Sequence, residues 1–141
     1  MKKAHYEYLP IYGRHCFYGN DIDSILKTIK LYFNDSDVDL TLITEMDEAE
    51  GYVAPIMCKT NDDKLKALVM FVRDKASVGT VAHEAVHMVN HVFDYLGQDL
   101  CTVNDEAQAY LTGHFVQEFM SNIRGDKNSK SGELTKLKGK K

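Results

Sequence analysis

The apolar positions of this chain change period several times, and each change marks a predicted element. Tyr6-Glu7-Tyr8-Leu9-Pro10-Ile11-Tyr12 and Cys16-Phe17-Tyr18 read as one or two short strands around Gly13. Ile22, Ile25, Leu26, Ile29, Leu31 and Phe33 then recur at helical spacing, with Asn20 or Asp21 placed to cap them. Asn34-Asp35-Ser36-Asp37 ends that helix. Residues 38–44 alternate, as a half-buried strand does, and residues 45–51 predict a turn. Residues 52–58 form another strand, which Pro55 restricts to an edge or a bulge because it has no N–H to give a ladder. Residues 65–73 are the strongest strand of the chain, since Leu65, Ala67, Leu68, Val69, Met70, Phe71 and Val72 are nearly continuous.

After residue 79 the period becomes helical. Ala82, Ala85, Val86, Val89, Val92, Phe93 and Leu96 supply an apolar face and predict a mostly buried helix. Ser77 or Thr80 lies near its N-cap, and Gly97 is its natural C′ residue. A short reversal over residues 98–103 leads to a last helix, capped by Asn104 or Asp105. Its apolar set is Ala107, Tyr110, Leu111, Phe115, Phe119 and Met120. The order strand, helix, three strands, helix, helix suits an α+β domain with its helices on one side of a twisted sheet.

Composition narrows the class without naming a chemistry. A chain of 141 residues, 44% hydrophobic and 27% charged, fits one soluble domain with its own core. No apolar run approaches the length of a membrane span, and the N-terminal charges are not followed by a secretory apolar region. Cys16, Cys58 and Cys101 have no paired spacing, so free thiols in a reducing, cytoplasmic setting are expected. The net charge of −4 is unevenly spread: residues 125–141 hold six Lys against Asp126 and Glu133. That basic, apolar-poor stretch predicts a disordered tail after a single domain over residues 1–124. The acidic body argues against nucleic acid as a partner. Oligomeric state leaves no mark in the sequence.

The chemistry is concentrated in His83-Glu84-Ala85-Val86-His87. Two His four apart on a helix lie about 40° apart around its axis, so both imidazoles can reach one metal ion. Glu84 stands about 100° round from His83, where it can reach a metal-activated water instead of the metal. A third donor is needed, and Glu106, nineteen positions after His87 at the start of the last helix, is the best candidate. Its bland alternative is a first-turn Glu that favours the helix dipole. His91 drifts about 80° from His83 and reads as cleft wall. Asn90 and Phe93 stand where a metzincin has Gly and its third His, which argues against that subclass. Glu106, Tyr110 and His114 fall at spacings of four, so Tyr110 or His114 could face the cleft as the oxyanion partner; Tyr12, Tyr52 and Arg73 are weaker candidates.

His83, Glu84, His87 and His91, followed by the helix carrying Glu106, resemble a gluzincin, the zincin subclass whose third zinc ligand is Glu. The closer resemblance is to the short HExxH proteins of phages and prophages and to the ImmA/IrrE-type peptidases. It covers roughly residues 65–120. It implies a zincin-like sheet, one Zn²⁺ on His83, His87 and Glu106, Glu84 as general base, and hydrolysis of a peptide or protein substrate. It also implies that the strand before the active-site helix, residues 68–73, forms the cleft rim. One departure is Tyr110, which stands where larger relatives carry an Asp four residues after the ligand Glu; Asp105 and Asp94 could replace that carboxylate. A second reading is a zinc-stabilised binding or regulatory module without turnover. Such a module, if phage-encoded, would act on a host protein in the host cytoplasm. Glu84 separates the two, because a purely structural site has no need of a base.

Overall fold

The computed structural model describes residues 1–33, 38–39, 45–58 and 67–126. Residues 40–44 of the strand expected over residues 38–44 and the basic tail beyond Asp126 lie outside them. β1 (Ala4–Leu9) and β2 (Arg14–Gly19) form a hairpin around Gly13, which turns at φ 62°. α1 (Ile22–Tyr32) starts at Asp21, whose carboxylate accepts the Ser24 amide at 3.0 Å. This settles the choice of cap in favour of Asp21 and satisfies one orphan donor of the first turn. β3 (Val38–Asp39) is brief, and a 3-10 turn at Glu45–Glu48 precedes β4 (Gly51–Cys58). β5 (Ala67–Val72), α2 (Val78–Tyr95) and α3 (Glu106–Asn122) follow among the described residues.

Among the described residues the architecture is α+β, a mixed sheet in the order β1-β2-β5-β4 with three helices; β3 extends the sheet by pairing with the last two residues of β4. β2 and β5 run parallel and the other pairs antiparallel. β5 is buried at all six positions, between β2 and β4. Its Leu68, Met70 and Val72 meet α2 and α3, while Ala67, Val69 and Phe71 meet α1 and Met46. Alternation by two thus feeds two apolar cores, one on each face.

Two expectations are corrected here. The helices do not share one side: α1 covers the face opposite α2 and α3. β5 is not a rim, since both of its edges are already hydrogen-bonded to neighbours. The nearly unbroken apolar run of residues 65–73 carried this information, because a strand covered on both faces has no polar side.

The turn after α2 matches expectation. Gly97 adopts φ 67°, its N–H donates to the Asp94 carbonyl, and the Gln98 N–H donates to the Phe93 carbonyl. This is a Schellman closure. At the far end of α3, the Arg124 guanidinium donates to the carbonyls of Arg73 and Ala76, just ahead of α2. The two helices therefore run antiparallel.

Candidate metal centre

α2 is capped by Ser77, whose hydroxyl accepts the Thr80 amide at 3.3 Å. Its buried stripe is Val81, Ala85, Met88, Val89, Val92 and Phe93. Ala82, Val86 and Leu96, expected on that stripe, are exposed. The stripe is thus rotated from the expected one, and this rotation decides the environment of the motif. His83 and His87 stand on the open surface, against the expectation that a buried helix would bury them, while Glu84 is only 6% exposed.

The two imidazoles converge. Their Nε2 atoms lie 3.1 Å apart, with the rings nearly perpendicular. With both imidazoles neutral and their hydrogens on Nδ1, the two Nε2 lone pairs face one region, where a cation can lie between them. That is the donor pair a chelate requires, drawn from one helical turn.

Glu84 is held differently. It packs against Gly51 at the start of β4, where an added Cβ would lie 2.8 Å from Glu84 Cγ and 2.9 Å from its Oε1. Thr80 Cγ2 would be 3.0 Å away. Gly51 opposes Val72 in the register of β4 and β5, and Arg73 ties the approach to β4 by donating from Nε to the Ala49 carbonyl at 2.7 Å. Burial raises the Glu84 carboxyl above its ordinary value, and the neighbouring His87 and His83 pull it back in part. His91, one turn on, is half-buried; burial and then His87 lower its affinity for a proton, with Asp94 acting against them.

The other expected site residues are not gathered here. Glu106 is exposed in the first turn of α3, and Asp105 holds the N-cap position without a side-chain hydrogen bond. The antiparallel helices put that turn toward the C-terminal half of α2. Among the described residues, His83, His87 and Glu106 do not form a group with ligand atoms within 4.8 Å of one another. Tyr110 is 80% exposed and, with His114, lines a cleft formed with Leu9, Pro10, Ile11 and Tyr12 of the β1–β2 hairpin. The spacing of four did place Tyr110 and His114 on one face, but that face looks to β1.

His114 instead meets Glu7, its Nε2 against Glu7 Oε1. Glu7, His114 and Glu118 form a group, with ligand atoms within 4.8 Å of one another, that could hold a metal ion. The sequence showed only half of this: His114 and Glu118 are an i, i+4 pair, while Glu7 is 107 positions from His114. Comparison of the chain with family models, curated proteins and solved structures returns no match in any of the three, so the chemistry rests on the residues themselves.

Proposed function

We propose that the chain is a zinc-dependent metallopeptidase centred on His83, Glu84 and His87. The observation that carries the reading is the 3.1 Å convergence of His83 and His87 Nε2 beside a buried, desolvated Glu84. The donor set fits two ligands of a His₂Glu zinc site; Glu106 is the third that the resemblance supplies. Zinc, when bound, supplies Lewis acidity toward water and the substrate carbonyl. Glu84 holds the proton account of the reaction: its carboxylate accepts a proton from the attacking water and returns it to the leaving amine. A carboxyl raised by burial is a better base for that exchange near neutral pH than a solvated one. Glu84 packs against Gly51 of β4, and among the described residues the other edge of β4 is paired only at Met57 and Cys58. The extended substrate is therefore assigned to the β4 side.

The competing reading, a zinc-stabilised binding module without turnover, gains from Tyr110 and His114 lining a cleft with residues 9–12, and from Glu106 not joining the His pair in one ligand group among the described residues. Glu84→Gln separates the two. As a peptidase, the variant keeps its metal and loses roughly 10²-fold or more in turnover. As a module, the wild type has no turnover and the variant binds its partner unchanged. Zinc content of the untagged protein, repeated for Glu106→Ala, tests the third ligand: full occupancy in that variant removes Glu106 from the site.

A further inference from the structure

β1 alternates, so His5 and Glu7 share the face that looks toward α3, beside Cys16 and Tyr18 of the paired strand. α3 brings His114 and Glu118, one turn apart, onto the same spot. Four potential ligands thus arrive as two pairs, one from a strand at i, i+2 and one from a helix at i, i+4. Glu118 is 3% exposed, and His5 Nε2 lies 3.4 Å from its Oε2.

We propose that His5, Glu7, His114 and Glu118 form a second metal site, structural in role, that binds a divalent transition metal and ties β1 to α3. Three features carry this. First, two carboxylates converge in a partly buried place, Glu118 buried and Glu7 half-buried, where like charges are costly without positive charge between them. Second, each carboxylate is oriented from behind. The Tyr18 hydroxyl donates to Glu7 Oε2 at 2.6 Å, leaving Oε1 on the side of His114. Asn122 Nδ2 donates to Glu118 Oε2 at 3.0 Å. Such outer partners are what fix ligand carboxylates in metal sites. Third, Glu7, His114 and Glu118 present three ligand atoms within 4.8 Å of one another, and His5, 3.4 Å from Glu118 Oε2, is placed to supply a fourth. A shell closed in that way would mark a structural site, and the donor set suits Zn²⁺, Mn²⁺ or Fe²⁺. The inference does not rest on the peptidase reading, whose metal ligands and base, His83, His87, Glu106 and Glu84, lie outside this group.

The test uses the full, untagged chain, stripped of metal and titrated with Zn²⁺. His83→Ala/His87→Ala removes two exposed side chains and disturbs no core, so this variant remains folded. It should still bind one zinc per chain. Addition of zinc to it should shift the imidazole ¹⁵N resonances of both His5 and His114. Adding Glu7→Gln and Glu118→Gln should weaken that binding at least about 10-fold. No zinc bound by the His83→Ala/His87→Ala variant overturns the proposal, as does zinc binding that leaves both resonances unmoved. A wild type that binds a single zinc, retained after His83→Ala/His87→Ala, would uphold this site while removing the peptidase reading.

Discussion

Gly51 is where the sheet and the candidate base touch, and replacing it should expose the contact. Gly51→Ala puts a methyl group 2.8 Å from Glu84 Cγ, 2.9 Å from Glu84 Oε1 and 3.0 Å from Thr80 Cγ2. All three are at or below the limit for a real Cβ contact, so Glu84 must move or β4 must shift from β5. Overpacking of this kind costs about 1–3 kcal/mol. Removing a glycine from a strand returns about 0.5–1 kcal/mol. The net expectation is a loss of up to about 2.5 kcal/mol, read from urea unfolding with an unchanged m value. A double-mutant cycle identifies the source. Glu84→Ala removes Cγ and the carboxylate, so adding Gly51→Ala to that variant should cost nearly nothing, giving a coupling of about 1 kcal/mol or more. Glu84→Gln keeps Cγ and the same shape, so Gly51→Ala should cost as much there as in the wild type. Equal costs in all three backgrounds would refute the claim that Glu84 is seated against Gly51. In the peptidase reading, Gly51→Ala should also lower turnover while sparing zinc affinity, because the His pair lies off the contact.

Asp21→Ala should destabilise the chain by about 1 kcal/mol at neutral pH through loss of the α1 cap. Burial pushes the Asp21 carboxyl up, but its hydrogen bonds with Ser24 and the charge of Lys2 outweigh this and hold it below the ordinary value. A carboxyl lowered on folding stabilises above its unfolded pKa and loses that contribution as pH falls through the folded one. The gap between wild type and variant should therefore close on acidification below about pH 4, and a gap that widens there would contradict the cap. Tyr18→Phe leaves Glu7 Oε2 without its donor and should cost about 1–3 kcal/mol in thermal or urea unfolding. Cys16 is buried and its thiol is pushed far up by burial, whereas Cys101 is exposed. A maleimide should label Cys101 in the native protein and Cys16 only in denaturant, as peptide mapping would show; equal native labelling would be the contrary result.

Much of the framework was legible because it follows from local rules. The period of two in β1 and β2, the caps at Asp21 and Ser77, and the Gly97 closure each depend on a few adjacent residues. The face chosen by α2 was legible only in part. Val81 and Met88 line the core, whereas Ala82 and Val86 do not, and a helix rich in small apolar residues on several sides does not fix its own rotation. The motif itself announced His83, Glu84 and His87. It did not announce that one turn would divide between water and core, with the two His outside and Glu84 inside. Gly51, His5, Glu7 and Glu118 were missed because their partners come from distant segments. A glycine before a strand has no local sign of a carboxylate lying against it. A Glu on an alternating strand reads as solvent-facing until a helix is laid over it.

The burial of β5 on both faces has a consequence for how the chain must reach this state. Its partner β2 precedes it by some fifty residues, and the parallel pairing His15↔Ala67 to Gly19↔Phe71 closes that whole interval. Hairpins between neighbouring strands form quickly, but a pairing with so long a loop must meet its closure entropy first and belongs late in folding. Until then Ala67-Leu68-Val69-Met70-Phe71-Val72 is six apolar residues with no charge and no proline, a segment that pairs readily with copies of itself. Lys64 and Lys66 precede it, and Arg73, Asp74 and Lys75 follow it directly. Charges in those places penalise the stacking of identical strands, so the central strand carries its own guard against aggregation while it waits for β2.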